Sequence, residues 1–546
     1  MDVTTSMPPT PPEAPPDQLR SAPPGATSAL PHRFGRNVVM NYLAQGTAAL
    51  SAIIVTPLLL HHLGRTAFGV WVLASSTVLY LELFELGFGA ATSKLMAEDA
   101  EERPERALQT LNTAFFAMIP LGVLALAVGV GIAFVFPDIV HVTPGLHNQV
   151  VLVVIILAFG LAVSIPGDTF GGALTGHQRF DMLGLSNSLL VASTLVATIV
   201  IVALGGGLVA LATALTVTGI AFHFVRFWML RRIQPGARIA WRLTDRQRLR
   251  EVMHLSGWFL LYGVVVAIYQ ASDVLVVGIV LGLRPAAVYA VASKLATAAQ
   301  QGLDSLAQVF FPYASAIARN RDRSHLTEVA ADGTRAAMFV GMIIAAMYVI
   351  LAFPGIKAWV GVGYGTSART LMVFAAVIVL ATPVRVINVV LTGSGRIPMV
   401  VLIRGVEVLI DLGLSIVLAH IVGPVGVALG TLGGIALARF PGFLIIGGRA
   451  VGIRPLTLLR RSVLPHLIPL AADSAVLLAL RGVADRSVPG LVGDVVAGAI
   501  TYVVVYFAVG ATSGERHRAL MAVAPYLPKR WRPSQVAAPV DAAARD

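Results

Sequence analysis

Residues 166–179 read PGDTFGGALTGHQR, and residues 383–396 read PVRVINVVLTGSGR. Both hold a proline, seven residues, Leu-Thr-Gly, two more residues and an arginine, running from Pro166 to Arg179 and again, 217 positions later, from Pro383 to Arg396. A second match lies at almost the same distance. Leu63-Gly64 followed by Trp71 returns as Leu281-Gly282 followed by Tyr289, 218 positions on. Leu, Gly and Thr are common in apolar helices, so each fragment alone is weak. Two fragments at nearly one offset mark an internal duplication.

The chain around this repeat is apolar. Of its 546 residues 56% are hydrophobic and 12% charged, about half the charge of a soluble chain. A bilayer core of about 30 Å takes roughly 20 apolar residues per helix. Such runs recur fourteen times, from 37–60 to 490–511. The predicted class is all-α, a polytopic membrane protein with about fourteen transmembrane helices. Six spans fall in each copy of the repeat, and an even number leaves both copies in one orientation. The two lobes are then parallel, related by an axis along the membrane normal. The expected divisions are a disordered Pro-rich tail (1–33), an N-lobe of spans one to six (34–230), a linker (231–253), a C-lobe of spans seven to twelve (254–447), spans thirteen and fourteen (448–512) and a second tail (513–546). In the linker, Thr244-Asp245-Arg246-Gln247 has a capping-box spacing, which predicts a helix running into span seven.

Basic residues set the orientation. With a cytoplasmic N-terminus, about 29 of the 40 Lys and Arg fall in inside segments and about 5 in outside loops. Both termini are therefore expected in the cytoplasm, with the chain in the inner membrane. The net charge of +12 is spread between spans rather than gathered on one soluble face, so no nucleic-acid partner is expected. The chain has no cysteine, which excludes thiol and disulfide chemistry. It has no P-loop, and His61, His62, His141 and His177 lack the spacing of metal ligands. No cofactor or metal is expected. The longest outer loop, 137–149, has no room for a catalytic domain, so the chain is expected not to be an enzyme. A membrane glycosyltransferase is the enzyme-class alternative.

Thr56-Pro57-Leu58-Leu59-Leu60, Leu63-Gly64, Phe68-Gly69-Val70-Trp71 and Glu85-Leu86-Gly87-Phe88-Gly89-Ala90-Ala91 open the first lobe. Ala271-Ser272-Asp273-Val274, Leu281-Gly282 and Val288-Tyr289-Ala290-Val291-Ala292-Ser293-Lys294-Leu295 open the second. With these motifs the chain resembles, over roughly 34–448, the polysaccharide (Wzx-like) flippase family of the multidrug/oligosaccharidyl-lipid/polysaccharide exporter superfamily. The resemblance implies a flippase that carries a polyprenyl-pyrophosphate-linked oligosaccharide from the cytoplasmic to the outer leaflet by alternating access, for cell-surface polysaccharide synthesis. It implies a lipid-linked glycan and membrane lipids as partners, with H+ or Na+ and polysaccharide-assembly proteins as further candidates. The alternatives are a flippase for the lipid-linked peptidoglycan precursor and a drug/cation antiporter of the same superfamily.

A charge at mid-bilayer costs at least roughly 2.5–3.5 kcal/mol on insertion scales, so it faces a cavity or a partner. The first lobe carries mostly acids, with Glu82 and Glu85 on span two and Asp168 on span four. The second carries Lys294, Arg385, Arg404 and Arg439 together with Asp273, Asp304, Glu407 and Asp411. Asp273 and Lys294 reach similar depth on adjacent antiparallel helices, which predicts an ion pair. Glu407 and Arg439 are also matched in depth, and Arg404, Glu407 and Asp411 share a helix face. Asp273, Lys294, Glu407, Asp411 and Arg439 are thus expected as structural or gating charges. The repeat pairs Arg385 with Asp168 and Arg404 with Asn187. Thr382, Arg385, Asn388 and Thr392 form a polar stripe that lipid could not solvate, so it should face the lumen. Arg385 and Arg404 are expected to hold the pyrophosphate in their planar guanidinium forks, with Asn388, Asn187 and Asp168 beside it. Glu82 and Glu85 are the expected site of coupling to H+ or Na+.

Overall fold

A computed structural model describes residues 26–85, 87–99, 102–308, 310, 323–484 and 488–523. The rest of both expected tails, 1–25 and 524–546, lies outside these residues, and span one begins at Ala26 instead of after residue 33. Every regular element among the described residues is helical. Eleven helices are long and apolar enough to cross a membrane, and the first of them, Gln45–Glu85, holds two spans joined at Gly64. Leu283–Gln308 and Ile397–Val422 complete fourteen. Val123, Phe134, Val196, Leu402 and Leu409 stand exposed on the outside of the bundle, as lipid-facing residues do and a soluble core does not.

Spans one and two occupy 26–63 and 65–99, followed by Pro104–Ile139, His147–Gly176, Phe180–Ala203 and Leu208–Ile233 as three to six. Spans seven to ten are Arg246–Leu281, Leu283–Gln308, Arg323–Ile350 and Gly365–Gly393; eleven is Ile397–Val422 and twelve covers 424–451. Leu467–Ala484 and Val488–Val505 are thirteen and fourteen. Short helices not expected from the sequence precede span ten (Ala352–Val360) and span thirteen (Pro455–Ser462).

The duplicated sequence marks duplicated turns. After span four, the Arg179 amide donates to the Leu174 carbonyl at 2.9 Å and the Gln178 amide to that of Thr175 at 2.8 Å. After span ten, Arg396 donates to Leu391 at 2.9 Å and Gly395 to Thr392 at 3.1 Å. Each pair closes a helix through one left-handed residue, Gln178 (φ 56°) and Gly395 (φ 78°), in the manner of a Schellman cap. The second fragment marks the turn between the first two spans of each lobe, at Gly64 (φ 76°, ψ 168°) and Gly282 (φ 95°, ψ −178°). That region of backbone space is essentially restricted to glycine. An added Cβ would meet no atom within 4 Å at either position, so only backbone strain opposes a side chain. Gly282→Ala is expected to cost about 1–3 kcal/mol, seen as a lower unfolding temperature of the purified protein. Equal stability would mean that the turn relaxes into another shape.

Two departures from expectation and one close helix contact bear on the site. Span two is not one helix. It stops at Leu81, makes a 3-10 turn over Glu82–Glu85, passes Gly87 at φ 70° and resumes as Phe88–Asp99. The helix into span seven is capped by Asp245, whose side chain accepts from the Arg248 amide at 2.8 Å, while the Thr244 hydroxyl turns back to Trp241. Spans eleven and twelve approach closely because Gly426, Gly430 and Gly434 line one face. A Cβ there would collide with the Leu418 carbonyl, with Ser415 and with Asp411.

At the end assigned to the outside by the basic residues, the lobes are tied together. Arg65 donates from Nε to the Tyr364 hydroxyl at 3.1 Å, and its guanidinium carbon stands 4.4 Å from that ring's centre. Trp359 Nε1 donates to the Ile53 carbonyl at 2.7 Å. At the other end, Arg248 bridges Asp99 at 2.5 Å and Glu251 at 2.7 Å.

Candidate functional site

Between the lobes lies a cavity of about 1140 Å³. It runs from Leu59 and Phe68, near the end where Arg65 and Trp359 join the lobes, to Gln308 and Thr392, at the opposite ends of spans eight and ten. Its walls differ in charge. The N-lobe contributes hydroxyls, among them Ser51, Thr56, Ser75 and Ser76, and one acid, Glu82. The C-lobe contributes Lys294, Arg385, Arg404 and Arg439, with Asp273 and Asp304.

Of the stripe on span ten, Arg385, Asn388 and Thr392 line this cavity, whereas Thr382 is buried and donates to the Ile378 carbonyl at 2.7 Å. Arg385 does not project freely, however. It is 2% exposed, forms an ion pair with Asp304 of span eight, and donates to the backbone and side-chain oxygens of Gln300, each at 3.4 Å. Asp304 itself keeps 52% of its side chain exposed. Asn388 adds a buried Oδ1 with no hydrogen-bond partner. Arg404 donates to Glu407 at 2.7 Å and lies 4.3 Å from the ring centre of Tyr269. Glu407 is fully buried and faces Arg439 at 3.8 Å from its other oxygen, so the matched depth of that pair is realised as contact.

The expected Asp273–Lys294 pair does not form. Asp273 Oδ2 accepts from the Tyr289 hydroxyl at 2.7 Å and from Thr431 at 2.9 Å, which leaves no approach for an ammonium on that oxygen. Lys294 turns into the cavity instead, exposed there, with no carboxylate in ion-pair distance among the described residues. Asp411, on the same face as Glu407, accepts from Ser415 at 3.0 Å and is almost fully buried. It does not line the cavity.

The N-lobe encloses a second cavity of about 380 Å³. Glu82, Glu85, Ser164, Asp168, His223 and Arg226 line it. Here the expected excess of acid is answered by a base that the sequence reading passed over. Arg226 of span six donates to Asp168 at 2.9 Å and to Asn187 at 3.0 Å, so both of those residues are engaged within their own lobe, away from the central cavity. His223, one turn earlier, contacts Ser164 at 3.0 Å and stands 4.0 Å from Asp168. Its place beside Arg226, three residues apart in an otherwise apolar span, is the signal that was available. The break in span two gives Glu82 and Glu85 their positions. Glu82 faces both cavities, whereas Glu85 faces only the smaller one, with its carboxylate over Gly89 at the start of the next helix.

Repeat-related positions are therefore used in opposite senses. Span ten sets a base, Arg385, against an acid of span eight; span four sets an acid, Asp168, near the two acids of span two, with the base coming from span six.

Residues 34–318, just over half of the chain, match the family described as polysaccharide biosynthesis protein. Several solved structures share the fold. The lipid II flippase MurJ in an inward closed conformation aligns with a TM-score of 0.68 and 14% identity, over 88% of this chain and 100% of that one. An inward-facing multidrug resistance MATE family transporter of the MOP superfamily gives 0.65 and 17%, over 77% and 96%. A MOP superfamily transporter from Pyrococcus furiosus, described as having a binding pocket of reverse polarity, gives 0.54 and 16%, over 75% and 95%. At such identities the likeness concerns the fold alone. No curated protein sequence matches the chain at a significant level.

Proposed function

The chain belongs to the polysaccharide biosynthesis protein family, and from that premise we propose that it is a flippase for a polyprenyl-pyrophosphate-linked oligosaccharide. It sits in the inner membrane with both termini cytoplasmic and moves its substrate from the cytoplasmic to the outer leaflet by alternating access. One observation carries this reading: the central cavity has a cationic wall facing a hydroxyl-bearing wall, and hydrogen bonds from Arg65 and Trp359 join the lobes across one end. A headgroup with phosphate at one side and sugar hydroxyls at the other fits such walls, because guanidinium and ammonium bind phosphate oxygens while Ser and Thr exchange hydrogen bonds with sugars. The prenyl tail stays in lipid. Four cations in the lining weigh against a drug/cation antiporter.

The cations differ in readiness. Lys294 has no carboxylate in ion-pair distance among the described residues, so it meets the pyrophosphate first. Arg385 follows by exchanging Asp304, a half-exposed partner, for phosphate oxygens. Arg404 and Arg439 are held by the fully buried Glu407 and serve as fixed positive charge at the wall. Asn388 offers its amide to the same headgroup, while Asn187 and Asp168 are left to the N-lobe network. The reading is tested with the protein in lipid vesicles carrying a lipid-linked oligosaccharide in one leaflet, by following its exposure to a glycan-modifying enzyme outside. Exposure no faster than in protein-free vesicles would remove the proposal.

Coupling is assigned to the N-lobe cavity, and to a proton in preference to Na+. Arg226 already places positive charge beside Asp168, which disfavours a metal cation there but not proton exchange on Glu82 or Glu85. Glu82, facing both chambers, is the group through which proton occupancy in one affects the other. Glu82→Gln is expected to leave flipping in place while abolishing its acceleration by an imposed pH gradient. An acceleration equal to that of the parent would clear Glu82 of the role.

A further inference from the structure

Spans thirteen and fourteen lie outside the duplicated lobes, yet the interface between them is lined with titratable groups that nothing above uses. Asp473 of span thirteen is fully buried, and neither of its carboxylate oxygens has a hydrogen-bond partner. It packs against Gly498 of span fourteen, where the first carbon of any side chain would collide with Oδ1, so the glycine makes room for the carboxyl. One turn from Gly498 in one direction is Asp494, 3% exposed and with Oδ2 unpartnered. One turn in the other direction is Tyr502, whose hydroxyl bonds His466 Nδ1 at 2.8 Å. His466 is also fully buried, its Nε2 lacks a partner, and its ring stacks on Tyr506 at 4.9 Å between centres. Tyr506 accepts from Arg335 Nε at 2.8 Å and donates to Glu515 at 3.2 Å, beyond the end of the span.

The side chains of span fourteen in this series, Asp494, Tyr502 and Tyr506, lie on one helix face, and from the first to the last they cover about 18 Å of the helix axis. Three separate residues offer a buried, unpartnered polar atom to the same interface. Packing alone does not ask for this, since buried polar atoms are almost always paired. Around Asp473 the other packed element, span nine, presents Met342, Ala346, Met347 and Ile350, and its one charge at the hairpin is Arg335 at the inner end. The short turn before span thirteen adds His466, and the span itself adds the exposed Arg481 toward its far end. No base therefore stands ready to neutralise an ionised Asp473 among the described residues.

We propose that this hairpin binds a proton at Asp473, so that the buried side chain is a neutral carboxylic acid in the space that Gly498 leaves between spans thirteen and fourteen. Binding forms one O–H bond with a proton given up by solvent water, and nothing is oxidised. The proposal stands independently of the substrate assigned above.

The test is infrared spectroscopy of the full-length protein in lipid vesicles, transferred from water to heavy water. The parent is expected to show a protonated-carboxyl band that shifts on deuteration. Asp473→Asn should remove that component and Glu82→Gln should keep it; Asp473→Glu, which retains an acid, should move the band without abolishing it. A spectrum unchanged in Asp473→Asn would overturn the site.

Discussion

Lys294→Ala is expected to slow flipping about ten- to a hundredfold, with the protein present in the membrane at the parental level. The size follows from the bond lost. A hydrogen bond to a charged group contributes about 1.5–3 kcal/mol, and each 1.4 kcal/mol is a factor of ten. The absence of a structural penalty follows from Lys294 having no acidic partner to abandon among the described residues. Lys294→Arg should restore most of the rate, whereas Lys294→Glu should fall below the alanine variant. Arg385→Ala gives the contrast. It removes a phosphate ligand but also strands Asp304 in the chamber as an unpaired anion, which repels the headgroup. Adding Asp304→Asn to Arg385→Ala should therefore recover part of the loss. Measured by exposure of the glycan outside vesicles, parental flipping by Lys294→Ala would take the first contact away from this residue. Full recovery in the Arg385/Asp304 double variant would show Arg385 to be a staple only.

The architecture was largely legible in the chain because its signals are one-dimensional. Apolar run length gives span number, and an offset of 217 or 218 gives the duplication, which the structure realises as the same helix cap and the same glycine turn. The cavity wall was partly legible for the same reason. A polar stripe at helical spacing needs water, and Arg385, Asn388 and Thr392 do face the chamber. Pairing was less legible, because rise per residue gives depth but not direction. Asp273 and Lys294 have matched depth and turn to different neighbours, since Tyr289 and Thr431 offer hydroxyls where the ammonium was expected. Arg226 was missed because its one signal inside the apolar part of span six is His223, a turn earlier, which is too short a pattern to make a stripe. Its partners Asp168 and Asn187 come from two other spans, which no spacing within span six records. The break in span two could have been read. Two acids three apart, then Gly87-Phe88-Gly89, offer the left-handed residue such a break needs.

The largest loss of stability is expected from Glu407→Ala. Its carboxylate is 0% exposed and faces two guanidiniums, at 2.7 Å from Arg404 and 3.8 Å from Arg439. Removing one member of a buried ion pair costs about 3–5 kcal/mol, because the remaining charge keeps its desolvation without its attraction. Here two charges are left. Both line the cavity, but Arg404 is also cushioned by the Tyr269 ring, so most of the cost falls on Arg439, whose Nε already lacks a partner. Glu407→Ala combined with Arg439→Met should therefore recover more thermal stability than Glu407→Ala combined with Arg404→Met. Both comparisons are made by thermal unfolding of purified protein, with flipping scored per folded molecule. A Glu407→Ala protein that melts with the parent but no longer flips would mean that the acid is a moving part of transport and not the clamp that fixes two cations at the wall.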